Sequence, residues 1–181
     1  MLNMESGKQE IRWVLHAQAG DRAALDNLLQ AVQAPLYRYI VSLTGDASFA
    51  EDILQEVFVL IYRKLGWLRE PELFRPWAYR IATRETFKWL KREKRWQEQE
   101  RDEELLQAIP AVQGKSFAAE LLPQLPQLLA RLSPASRAVI VLHYLHELTL
   151  DEISEVLGVA VGTVKSRLSY GLSKLRQQLH K

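Results

Sequence analysis

Apolar side chains recur every three to four residues along almost the whole chain, and no run of alternating β-branched residues interrupts them. That repeat lays one stripe along a helix, whereas a strand would need a period of two. An all-α fold is therefore expected. Gly20-Asp21 closes a first helical stretch, and Asp21 is placed to cap a helix running to about Leu43. Thr44-Gly45-Asp46 reads as a C-cap followed by a turn. The next helix covers Ala47 to Leu65, with Ile53, Val57, Leu60, Ile61 and Leu65 facing a core. After Gly66 and Pro71 a long helix runs from Glu72 to Trp96, burying Phe74, Trp77, Ala78 and Ile81.

Beyond Trp96 the character changes. The chain becomes polar, acidic at first, and is broken by Pro110, Gly114, Pro123 and Pro126. Such a composition describes a flexible linker. It divides the chain into two small helical domains, residues 1–97 and 125–181, joined by residues 98–124. In the second domain Ser133-Pro134 supplies an N-cap and a proline at the first helical position, where its missing N–H costs nothing. Thr149-Leu150-Asp151-Glu152 matches a capping box. A short helix to Leu157, the turn Gly158-Val159-Ala160 and a last helix to about Leu179 follow.

That layout is a helix-turn-helix. Gly158 accommodates a positive φ at the turn, and Ile153, Leu157, Val159 and Val164 set the angle between the helices. Ser154 provides the small side chain needed where they approach. The last helix carries an apolar stripe of Val164, Leu168, Leu172, Leu175 and Leu179. Its other side offers Thr163, Ser166, Arg167, Tyr170, Lys174 and Gln177, the chemistry of a helix that reads a major groove and holds phosphates. An ordinary helical hairpin with a solvated basic face is the alternative at this point.

The first domain separates its charges. Asp46, Glu51, Asp52 and Glu56 precede any cation on the 47–65 helix, and Asp52, Gln55, Glu56, Val59 and Arg63 share a face away from the core stripe. Taken alone, these acids describe a solvated face or a helix N-terminus favoured by its dipole. The following helix is the reverse: from Arg75 to Arg95 it places Arg80, Arg84, Phe87, Lys91, Lys94 and Arg95 along one side, a basic stripe with an aromatic among them. Cations interleaved with an aromatic suit a nucleic-acid backbone and an unstacked base, and a merely solubilising surface is the plain alternative.

Three strings resemble one family. Val159-Ala160-Val161-Gly162-Thr163-Val164-Lys165-Ser166-Arg167-Leu168, after Leu148-Thr149-Leu150-Asp151-Glu152-Ile153, is similar to the C-terminal DNA-binding domain of bacterial sigma factors. Ala50-Glu51-Asp52-Ile53-Leu54-Gln55-Glu56-Val57-Phe58 resembles the sigma segment that docks on the coiled coil of the polymerase β′ subunit. Phe74-Arg75-Pro76-Trp77-Ala78-Tyr79-Arg80-Ile81-Ala82 resembles the segment that melts and reads the −10 element. With only a linker between its domains, the chain resembles the extracytoplasmic-function subfamily.

The resemblance implies that Asp52, Gln55, Glu56 and Val59 bind core RNA polymerase, both its β′ coiled coil and its β subunit being partners. It implies that Arg75, Arg80, Arg84, Phe87, Lys88, Lys91 and Arg95 engage the −10 element. Thr163, Lys165, Ser166, Arg167, Tyr170 and Lys174 would read the −35 element, with Lys174 and Arg176 serving phosphates. A membrane-bound anti-sigma factor is a further implied partner. Arg84, Lys88 and Tyr170 depart from the usual family residues, so no base preference carries over at those positions.

Other classes find less support. There is no phosphate-binding glycine loop, since Gly114-Lys115 lacks the preceding glycine. His143, His146 and Glu147 lie close together, but two histidines without a third positioned ligand are weak evidence for a metal. No catalytic residue, cofactor or metal is expected. The absence of cysteine excludes disulfides and thiolate sites and fits a reducing compartment. Met1 to Glu10 are polar and no apolar run nears the roughly 20 residues that span a bilayer, so a cytoplasmic protein without membrane insertion is expected. A dimeric repressor or activator would explain the helix-turn-helix but neither the acidic nor the basic helix of the first domain. A degenerate sigma relative that only binds proteins is the third reading.

Overall fold

A computed structural model describes residues 4–93 and 125–179, and all its regular elements there are helical. The first group comprises α1 (Met4–Gln18), α2 (Arg22–Thr44), α3 (Ala47–Lys64) and α4 (Phe74–Arg92), with 3₁₀ turns at Leu65–Trp67 and Pro71–Leu73 between the last two. The second comprises α5 (Leu125–Leu129), α6 (Pro134–Tyr144), α7 (Leu150–Leu157) and α8 (Val161–Leu179).

The caps explain the boundaries. The Asp21 carboxylate accepts from the amides of Ala23 and Ala24 at 2.9 and 3.1 Å, and Gly45 ends α2 at φ 73°. The helix runs unbroken through Pro35. α4 begins two residues later than its sequence pattern, because Pro71 opens a 3₁₀ turn first. Its expected continuation through Lys94, Arg95 and Trp96 lies outside the described residues. In the second group Ser133 caps α6, the Thr149–Glu152 capping box is complete, and Gly158 turns at φ 67°. Ser154 does more than stay small: its hydroxyl donates to the Val159 carbonyl at 2.7 Å and so ties the turn down.

α2 is central to the first group and packs against α1, α3 and α4. Leu28, Leu36, Tyr39, Ile40 and Leu43 of α2 are fully buried with Val57 and Ile61 of α3 and Phe74 of α4. Leu60 and Trp77, expected in the core, are only partly buried at its edge. α1 is fastened at two points. Gln18 donates to the carbonyls of Leu65 and Leu68, and Glu10 pairs with Arg75 of α4.

The two groups are docked on each other: α6 packs against α2, and α7 against α4. Their buried side chains form one continuous core. α4 buries Tyr79, Thr83, Thr86 and Leu90 besides the stripe that its sequence predicts, with Tyr79 and Thr83 meeting Tyr39 of α2 and Tyr79 also meeting His146. The threonine hydroxyls satisfy themselves by donating to Tyr79 O and Ala82 O, one turn back.

α8 crosses α6 closely at Gly171. A Cβ there would come within 2.5 Å of the Ile140 side chain, which is itself buried. Gly171→Leu is expected to destabilise the chain by about 1–3 kcal/mol, as overpacked cores do. A chemical denaturation midpoint unchanged from wild type would refute this.

Candidate nucleic-acid interface

Helix α8 turns Val164, Leu172 and Leu175 inward, and that stripe orients everything else on it. Lys165 and Ser166 are exposed, while Thr163, Arg167, Tyr170 and Lys174 are partly covered. Ser166 donates its hydroxyl to Thr163 O at 2.9 Å, which leaves its oxygen free to accept. Lys174 sits 5.6 Å from the centre of the Tyr170 ring. The Tyr170 ring thus lies beside the Lys174 cation. Arg176 and Gln177 are exposed one turn further along.

On α4 the side chains of Arg80, Arg84, Lys88 and Lys91 are exposed at a spacing of three to four residues, with Phe87 half-buried beside them. Arg75 stands apart from this row. Its Nε donates to both Glu10 oxygens at 3.1 and 2.9 Å, and its Nη2 lies 2.8 Å from the same carboxylate. Glu10 is buried at 8% exposure, so this guanidinium is committed to holding α1. Arg95 lies outside the described residues.

Asp52, Gln55, Glu56 and Val59 line one groove between α3 and α4, together with Leu60, Glu85 and Lys88. The acidic residues stand there because the opposite side of α3, Ile53, Leu54, Val57 and Ile61, is the one that packs. Val59 is 47% exposed and gives the groove an apolar floor for a partner. Lys88 pairs with Glu85 at 3.1 Å inside this groove. It therefore stands where the basic row and the acidic groove meet.

Some exposed groups escaped the sequence reading. Tyr62 and Trp67 are 67% and 77% exposed at the end of α3 and in the turn after it. Arg63, Lys64 and Arg69 surround them in sequence and are exposed as well. The signal was present as aromatic residues interleaved with cations, but Leu65 among them reads as core. The two histidines considered for a metal diverge. His143 Nδ1 faces Leu148 O at 3.0 Å, and His146 Nδ1 faces the Tyr79 hydroxyl at 2.6 Å.

Residues 28–96 match the family model for Sigma-70 region 2, and residues 128–177 match that for Sigma-70, region 4. The chain is 29% identical to the ECF RNA polymerase sigma factor SigW of Bacillus subtilis, over 92% of this chain and 94% of that protein. It is 30% identical to the ECF RNA polymerase sigma factor SigL of Mycobacterium tuberculosis, over 90% of this chain and 93% of that one. Among solved structures, the sigma factor RpoE in complex with the anti-sigma factor NepR, from Bartonella quintana, shares the fold. That match has a TM-score of 0.66 at 22% identity and covers 86% of this chain and 96% of that one. Region 2 thus carries an acidic groove and a basic row on adjacent faces, and region 4 carries a helix-turn-helix. The chain belongs to the extracytoplasmic-function sigma factors of the sigma-70 family, which bind core RNA polymerase and direct promoter-specific transcription initiation.

Proposed function

We propose the following division of labour. Residues 1–97 form the unit that binds polymerase and the −10 element, 98–124 link it, and 125–181 form the unit that reads the −35 element. Asp52, Gln55, Glu56 and Val59 receive the β′ coiled coil, and their alignment in one groove is the observation that carries this assignment. Arg80, Arg84, Lys88 and Lys91 hold the phosphates of the opened −10 strand, with Phe87 beside them. Tyr62 and Trp67 add exposed rings on which an unpaired base can stack. Arg75 contributes through the placement of α1 and α4. Thr163, Lys165, Ser166 and Arg167 read base edges at the −35 element, while Lys174 and Arg176 serve phosphates.

The chain works by binding and catalyses no reaction of its own. Among the described residues no helix is long and apolar enough to cross a membrane, and the site of action is the bacterial cytoplasm, where polymerase and promoters are. An anti-sigma factor is a fitting regulator, since RpoE of the same fold is found with one.

Transcription in vitro from a library of random promoters, with core polymerase and with or without this protein, tests the assignment as a whole. Protein-dependent transcripts should share two spaced upstream elements. Core binding without transcripts would favour the degenerate relative, and no core binding would sink the polymerase assignment. Individual contacts separate by their salt dependence. Arg167→Ala should cost about 1–3 kcal/mol and relax preference at one base position. Lys174→Ala should weaken all sequences evenly and flatten the salt slope by about one ion. If neither change alters affinity or slope, α8 is not the reading surface.

A further inference from the structure

Gln18, the last residue of α1, stands at a fixed corner of the backbone. The amides of Ala19, Gly20 and Asp21 donate back to the carbonyls of Leu15, Ala17 and His16, and Gly20 takes a φ of 96°. Asp21 then caps α2, so the chain is held on both sides of the corner. From there the Gln18 Nε2 donates to Leu65 O at 2.9 Å and to Leu68 O at 2.8 Å, 47 and 50 residues further along the chain. An amide nitrogen carries two hydrogens, and each finds one carbonyl.

Those carbonyls bracket a single 3₁₀ turn. Leu65 O also accepts from the Leu68 amide at 3.1 Å, the bond that closes the turn from within. Gln18 closes it a second time from another helix and supplies Leu68 O with a donor. Leu65 is buried and Leu68 packs at the edge of the core, so the two flanking residues are anchored. Trp67 between them is the opposite. It is the most exposed large apolar side chain among the described residues, and no ring contact holds it there. The backbone of the turn therefore sets where its ring stands.

α1 grips the rest of this connection as well. It packs against both 3₁₀ turns, and Glu10, two turns before Gln18, pairs with Arg75 at the start of α4. The helix thus spans the stretch from the end of α3 to the start of α4. A loop that must be ordered on binding loses affinity to that ordering, whereas one already held by its neighbours does not. An exposed ring on a pinned turn is the arrangement that avoids the loss.

We infer that Gln18 is a positioning residue for the contact of this sigma factor with the opened strand. Its amide pins the Leu65–Leu68 turn so that Trp67 stands ready to stack on an unpaired base. This role rests on the reading of Trp67 as a stacking ring, whereas the pinning of the turn can be observed without DNA.

The full chain serves for both measurements. Its five tryptophans can be replaced by fluorotryptophan, and the fluorine NMR line lost in Trp67→Phe belongs to Trp67. Gln18→Met keeps the length of the side chain and removes both donors. It should move the Trp67 line more than any other. Binding is read by the anisotropy of a short fluorescein-labelled oligothymidine, since stacking on an aromatic tolerates any base. Trp67→Ala should weaken binding about 10-fold, and Gln18→Met about 5-fold. In the Trp67→Ala background Gln18→Met should add nothing, yet it should act in full beside Arg84→Ala, whose phosphate contact is independent. A general loss of structure would weaken both backgrounds alike.

A wild type that fails to bind, or a Trp67→Ala without effect, overturns the stacking reading and the role of Gln18 with it. If Trp67→Ala weakens binding while Gln18→Met does not, or if Gln18→Met leaves the Trp67 line in place, the role of Gln18 alone falls. Should Gln18→Met lose helical circular dichroism, Gln18→Lys and Gln18→Glu decide. Lysine can still donate to both carbonyls and should keep the wild-type Trp67 line, whereas glutamate offers them only acceptors and should displace it. Identical Trp67 lines in these two variants overturn the pinning.

Discussion

Arg75→Ala is expected to lower the unfolding free energy by about 2–3 kcal/mol, because it strands a buried carboxylate rather than a surface one. Glu10 keeps only 8% exposure and receives three short contacts from the Arg75 guanidinium. The Arg75 side chain is 29% exposed, so some water reaches the pair, and the figure is set below that of a fully buried bridge. Replacing both partners, as in Glu10→Leu with Arg75→Leu, should recover much of the loss, since no charge is then left unpaired. Urea denaturation of the two single variants and the double variant gives the coupling directly. If Arg75→Ala unfolds at the wild-type midpoint yet loses −10 binding, the residue belongs to the DNA surface after all.

Asp52→Lys combined with Glu56→Lys should weaken core polymerase binding at least about 100-fold, which corresponds to about 2.7 kcal/mol. The two carboxylates face the same groove as Val59. Reversal replaces attraction for a basic partner with like-charge repulsion, which costs several kcal/mol at a contact. Both residues are exposed, so the fold should be little affected. Fluorescence anisotropy against labelled core enzyme reads the affinity, and binding of a −35 duplex through α8 serves as the control. Unchanged core affinity would remove the α3–α4 groove from the polymerase interface.

The helices and their ends were legible in the residues themselves. Asp21, Gly45, Ser133, Pro134, Thr149 with Glu152, and Gly158 each act through their own backbone or within a turn of it, so short-range chemistry suffices to place them. Periodicity likewise placed Asp52, Gln55, Glu56 and Val59 on one face, because the packed side of α3 leaves them no other. The family strings carried the function, as the matches to regions 2 and 4 bear out. Even the divergence at Tyr170 was visible, although its pairing with Lys174 was not.

What the sequence determined, then, was a set of amphipathic helices with their caps, the opposed charges of α3 and α4, and the helix-turn-helix. Tertiary structure alone decided which of those charges remain available. Arg75 looked like its basic neighbours, and only the approach of Glu10, 65 residues away, takes it from the row. Arg137, within an apolar helix, gave no sign that it would reach the end of α2, 94 residues earlier in the chain. Tyr79 and Thr83 are buried because Tyr39 of α2 and His146 of the α6–α7 turn meet that side of α4. Periodicity reports that a face is apolar or polar, whereas the partner that meets it is set by long-range packing, in which one buried charge must find its acceptors wherever the fold supplies them.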